Sequence, residues 1–131
     1  MNRFLFPLAA LLCCVVDHSL LGQNIKVEKM DEKLAAQVNT LNPDYLVFYP
    51  TPKTPEPLPL VIYLHGAGGV GDEIHKIKGQ AGQIARSIAQ DKKNPCLVVA
   101  PQVSRKNRQP GGWIPAHLNL FLRHLKTSLN L

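Results

Sequence analysis

Hydrophobic and polar positions divide this chain into short apolar runs separated by proline, glycine and charge. Tyr45-Leu46-Val47-Phe48-Tyr49 is rich in aromatic and branched side chains and is bounded by Pro43 and Pro50, which predicts a strand. Leu60-Val61-Ile62-Tyr63-Leu64 and Cys96-Leu97-Val98-Val99-Ala100 are continuous apolar runs, the pattern of strands buried on both faces of a sheet. Between Gln80 and Gln90, Ile84, Ala85, Ile88 and Ala89 recur at helical spacing, and Lys92 and Lys93 follow at the end of a helix that favours cations. The clearest helix comes last, with Leu118, Phe121, Leu122, Leu125 and Leu129 in one stripe and Pro115 suited to its first turn. From Asn24 to Leu41 the pattern is mixed, with a strand near Ile25–Val27 and a short helix near Glu32–Val38 as options.

Five prolines, Pro50, Pro52, Pro55, Pro57 and Pro59, separate the first two clear runs. Proline lacks the N–H that a helix interior or central strand needs, so this segment is expected to be an extended connector. Strand, loop, helix, strand, loop, helix is the order of an α/β fold built on a parallel sheet. Two or three strands with two helices leave sheet edges bare, so the pattern predicts part of a domain.

Length and composition narrow the class. A chain of 131 residues with 45% hydrophobic content makes one globular domain at most. The net charge of +6 fits solvated loops better than a nucleic-acid partner, because no aromatic residues interleave the basic cluster Arg105, Lys106 and Arg108. Arg3 followed by the apolar run Phe4 to Val16 fits a secretory signal over residues 1–23, shorter than a membrane span. The expectation is a secreted or periplasmic protein with no membrane attachment once the signal is removed. Cys96 is then the one remaining cysteine, which rules out an internal disulfide or a cysteine-built metal site and predicts a buried free thiol.

Candidate chemistry enters with His65-Gly66-Ala67-Gly68-Gly69, directly after the second run. Glycines let a backbone approach a substrate and adopt positive φ without side-chain clash. Fixed backbone N–H groups at a strand end stabilise the negative charge that develops on a carbonyl oxygen in acyl transfer. The block from Pro59 to Gly69 resembles the strand and oxyanion loop of α/β-hydrolases. Tyr45 to Pro50 is similar to the strand before the proline-rich connector in secreted esterases and predicted peptidases, relatives of polyhydroxybutyrate depolymerases and feruloyl esterases. Val98-Val99-Ala100-Pro101-Gln102, with Gly112-Trp113 beyond it, is similar to their next strand and its loop. The helix from Pro115 is similar to the one that leads into their nucleophile strand.

The resemblance implies that residues 24–131 are the N-terminal part of an α/β-hydrolase domain: a partial α/β-hydrolase fold, a parallel sheet with flanking helices, incomplete. It implies a secreted serine hydrolase acting on carboxylic ester or peptide bonds of a small-molecule or polymeric substrate, with no cofactor and no metal. Ala67 or Gly68 would give one oxyanion N–H, within the loop that also holds His65, Gly66 and Gly69. The other donor belongs to the residue after the nucleophile. The family's serine lies in a G-x-S-x-G elbow ahead of its acid and histidine. None of Ser19, Ser87, Ser104 and Ser128 has that setting, and Leu131 comes where the nucleophile strand is expected. Truncation before the nucleophile, and inactivity of this chain alone, are the resulting expectations.

Other readings use the same residues. A non-catalytic fragment or binding remnant is the main alternative. Gly66, Gly68 and Gly71 also satisfy G-x-G-x-x-G, the dinucleotide fingerprint, but Asp72 and Glu73 follow at once and would oppose a pyrophosphate. The same two acids exclude a P-loop. His65 is expected to be hydrogen-bonded to its loop rather than to act as a base, and Trp113 to anchor the neighbouring loop. His117 and His124 share a helix face ~10 Å apart by helical rise, too far for one metal ion, and are expected at the surface.

Overall fold

The computed structural model describes residues 24–50, 57–89 and 93–131. The expected signal segment, most of the proline connector and Lys92 lie outside the described residues. Strand β1 covers Asn24–Lys29, helix α1 Glu32–Gln37, β2 Asp44–Tyr49, β3 Leu60–Ile62, α2 Lys78–Ala89, β4 Leu97–Ala100 and α3 Pro115–Ser128. Two 3₁₀ turns, Ala67–Gly69 and Ile74–Ile77, fill the path from β3 to α2. Both options left open near the start are therefore realised. Asp31 begins α1 by accepting the Leu34 N–H at 2.8 Å, and Pro115 opens α3 where its missing N–H costs nothing.

The four strands form one sheet in the order β1-β2-β4-β3. Only β3 and β4 run parallel; β1 pairs antiparallel with β2, and β2 antiparallel with β4. The sheet is mixed, which corrects the expectation of a parallel one. Apolar runs report burial, and burial does not state strand direction.

Alternation along the strands divides the core in two. Tyr45 and Val47 of β2 join Leu97 and Val99 of β4 on one face, beneath α1 and α3, with Phe121 and Leu125 at the centre. Leu46, Phe48, Val98 and Ala100 turn to the opposite face, where Ile74, Ile77, Ala81 and Ala85 cover them. The result is a three-layer α/β/α arrangement.

Three local expectations change. β3 is half-buried along its length and Leu64 is 43% exposed, because β3 has a neighbour on one side only among the described residues. Ile84 is also exposed, at the margin of the stripe through which α2 meets the sheet. Cys96 is half-buried, since it precedes β4 and stands outside its ladder. No helix among the described residues is long and apolar enough to cross a membrane.

Candidate active-site cleft at the carboxyl ends of β3 and β4

Because β3 and β4 are parallel, the loops that leave them emerge at the same edge of the sheet, the place where open α/β sheets hold ligands. The loop after β3 carries Gly66 to Glu73, and the loop after β4 carries Gln102 to Gly112. A cleft of about 180 Å³ lies between them. Gly66 and Ala67 line it from one loop, Arg108, Gly111 and Trp113 from the other, with Val70 and Val103 as apolar wall. Ala67 of the expected oxyanion pair is at the cleft; Gly68 is not among its lining residues.

His65 organises the first loop. Its ring is buried, with Nδ1 2.7 Å from the Gly66 carbonyl oxygen and Nε2 3.0 Å from the Val103 N–H. A carbonyl only accepts and a backbone N–H only donates, so Nδ1 carries the proton and Nε2 is bare. Both bonds hold only for the neutral ring. Burial pushes the imidazole below its ordinary range, and the positive charge of Lys76 adds to that, against the opposing pull of the Gly66 carbonyl.

Peptide planarity carries this constraint to the next residue. The Gly66 carbonyl and the Ala67 N–H belong to one trans peptide and point in opposite directions. Turning the oxygen toward Nδ1 therefore fixes the N–H away from it. Gly66 oxygen also accepts the Gly69 N–H at 2.9 Å, and Ala67 oxygen accepts the Val70 N–H at 3.3 Å. As first-turn donors of a short 3₁₀ segment, the Ala67 and Gly68 N–H groups have no acceptor among the described residues.

The loop's carbonyls are held back by side chains from elsewhere. Gln102 is fully buried and donates from Nε2 to the oxygens of Gly69, at 2.9 Å, and Glu73, at 3.1 Å. Its Oε1 accepts from Asn42 Nδ2 at 2.8 Å, so both donors and the amide oxygen are engaged. Lys76 Nζ donates to the Val70 oxygen at 2.9 Å, and the Gly71 N–H donates to the Val103 oxygen at 3.0 Å. At the rim, Asp72 accepts from the Ser104 hydroxyl at 2.7 Å and the Arg105 N–H at 3.0 Å. The Ser104 bond is the main reason its carboxyl lies below the usual carboxylate range, helped by the backbone of Arg105 and Lys106.

The glycines divide by role, and positive φ is not the reason for those of the first loop. A methyl added at Gly66 or Gly68 would meet nothing within 4 Å, so the backbone there is open to an incoming group. At Gly69 it would overlap the His65 ring. Positive φ occurs instead at Gly111 and Gly112, +87° and +78°, in the turn that returns the second loop to the cleft. That turn brings Trp113 over His65, with ring centroids 4.8 Å apart and Nε1 donating to the His65 oxygen at 3.1 Å.

His117 and His124 depart from the expected surface role. His117 Nδ1 meets Thr40 Oγ1 at 2.6 Å and His124 Nε2 meets the Tyr45 hydroxyl at 3.3 Å, so both tie α3 to the first half of the chain. No cluster able to hold a metal ion occurs among the described residues. Ser87 and Ser128 are exposed on helices, and the Ser104 hydroxyl is committed to Asp72. None of the three makes a hydrogen bond to a histidine among the described residues; Ser128 bonds instead to Tyr45, which also meets His124 one turn back on α3. Sequence reading reaches Gln102 only as the end of a resembling block and misses its role, as it misses Lys76 and Asp72. The signal for Gln102, a polar residue just beyond an apolar run, is too common to single it out, and Asp72 and Lys76 lie in mixed sequence with no pattern of their own.

Comparison with protein-family models, curated proteins and solved structures finds no match to this chain.

Proposed function

We propose that this chain supplies the oxyanion loop of a secreted serine hydrolase, of the α/β-hydrolase type, acting on carboxylic ester or peptide bonds. The observation that carries the reading is the Ala67 N–H: unpaired among the described residues, at the wall of a cleft, on a peptide plane locked by the neutral His65 ring. An acyl transition state needs such a donor, fixed before the charge appears, so that no reorganisation is required when it does. The position supports the reading as well, since the family's oxyanion N–H comes from the loop between its third strand and the following helix. The dinucleotide alternative is weakened because α2 begins only at Lys78, well beyond Gly71, and the helix that starts at the glycines is a single 3₁₀ turn, Ala67–Gly69. No described serine is set as a nucleophile, so the reading requires a serine, acid and histidine from outside these residues.

The test has two parts. The chain alone is expected to hydrolyse p-nitrophenyl butyrate no faster than a histidine-matched control. Fused to the serine-, acid- and histidine-bearing half of an α/β-hydrolase esterase, it is expected to turn over, and Ala67→Pro to lower kcat by about 10²–10³ through loss of one donor. Substrate-analogue binding measured alongside separates loss of the donor from a bent loop. Serine-dependent turnover by the chain alone, or a fusion whose kcat ignores Ala67→Pro, overturns the reading.

A further inference from the structure

The cleft has a polarity that the oxyanion loop does not explain. Its walls are apolar at Val70, Val103 and Trp113, and its one charged lining side chain among the described residues is Arg108. The Arg108 guanidinium has no hydrogen-bond or ion-pair partner among the described residues. Asp72, the acid bonded to the same loop, is already occupied by the Ser104 hydroxyl, the Arg105 N–H and the charge of Lys106. Among the described residues the cleft thus has an uncompensated cation in its lining and an unpaired backbone donor at Ala67.

We propose that the cleft takes a short acyl group bearing a carboxylate, with Arg108 as the residue that selects it, an inference that rests on the oxyanion reading of Ala67. Size suits a short group: about 180 Å³ compares with the roughly 150 Å³ cavity that accepts benzene, so a chain of about four carbons fits within the cleft. Charge decides its far end. The guanidinium presents a planar fork of N–H donors that matches a carboxylate in two parallel hydrogen bonds. The acyl carbonyl then lies at Ala67, the methylenes against Trp113 and Val70, and the carboxylate at Arg108. A succinyl-like half-ester carries those groups in that order.

The full chain, ¹⁵N-labelled, is titrated with monomethyl succinate and with its neutral isostere dimethyl succinate, following the Ala67 and Gly68 amides and the Trp113 indole N–H. Monomethyl succinate is expected to bind at least tenfold more tightly, with the difference shrinking as salt screens the pair. Arg108→Gln is expected to reduce monomethyl succinate to the level of the diester and to leave the diester unchanged. Lys106→Gln, the control from the same loop, is expected to change neither by more than about twofold. Arg108 is exposed, so the substitution removes no core contact, and unchanged amide dispersion confirms an intact fold. If both esters shift Ala67 equally and Arg108→Gln has no effect, the carboxylate preference is wrong while the oxyanion reading stands. If neither ester shifts the Ala67 or Gly68 amide, both readings fall.

Discussion

The face of the sheet beneath α3 and the cleft at the ends of β3 and β4 are held by different forces. Beneath α3, Phe121 and Leu125 are fully buried against Tyr45, Val47 and Val99, and Tyr45 meets Phe121 edge-on with ring centroids 5.1 Å apart. Area removed from water stabilises that region, and such stabilisation tolerates small displacements. At the cleft the same chain relies on directed polar contacts: His65 on Gly66 and Val103, Gln102 on Gly69 and Glu73, Lys76 on Val70. Each of those bonds contributes modestly to stability yet sets the direction of a particular peptide plane. A core supplies free energy, whereas a site needs orientation, and the molecule keeps the two apart.

The separation can be tested by breaking each region in turn. The largest effect is expected from Phe121→Ala, which removes a fully buried aromatic and leaves a cavity, at a cost of about 3–5 kcal/mol. Urea unfolding should show the loss as a lower midpoint. Below the transition, the Ala67 and Gly68 amide shifts should stay where they are. A displaced loop in the folded variant would mean that the core orients the site after all.

Gln102→Ala is the converse. It leaves the carbonyls of Gly69 and Glu73 and the Asn42 amide without their partner, at about 1–3 kcal/mol for buried groups left unsatisfied. The stability loss should be smaller than for Phe121→Ala, yet the Ala67 and Gly68 shifts should move and the Phe121 ring signals should not. Unmoved loop amides would remove Gln102 from the role assigned to it.

The smallest effect is one of pH. The folded His65 ring has a pKa below its ordinary value of 6.5, so the unfolded chain holds the proton more tightly than the folded one. The stability this group contributes is complete above about pH 6.5 and is lost as pH falls from there through the folded value. Protonation puts a hydrogen on Nε2 facing the Val103 N–H, and the bond between the loops must open. Amide exchange at Val103, corrected for the intrinsic pH dependence of exchange, should rise over that window, while amides of α3 around Phe121 keep their protection. His65→Gln should abolish the step; a step that survives would assign the transition to another group.

Much of the secondary structure is written in local pattern. The runs at Tyr45–Tyr49 and Leu97–Ala100, the stripe from Leu118 to Leu129 and the proline at 115 determine β2, β4 and α3, because strand and helix periodicity depend on neighbours a few residues away. The glycine-rich loop after the second apolar run is legible in the same way, and so is the pairing of His65 with its own loop. Sheet order and direction are not, since Leu46, Val98 and Val61 are equally apolar whichever strand lies beside them. Tertiary structure alone decided that β2 runs against β4, that β3 lies half-exposed, and that the half-buried His117 and His124 meet Thr40 and Tyr45. It alone brought Gln102 beneath Gly69, a contact across 33 positions of sequence, and set Arg108 beside Ala67 at one cleft. Local pattern states which atoms avoid water; which polar groups meet depends on how the layers close, and no short stretch of chain contains that information.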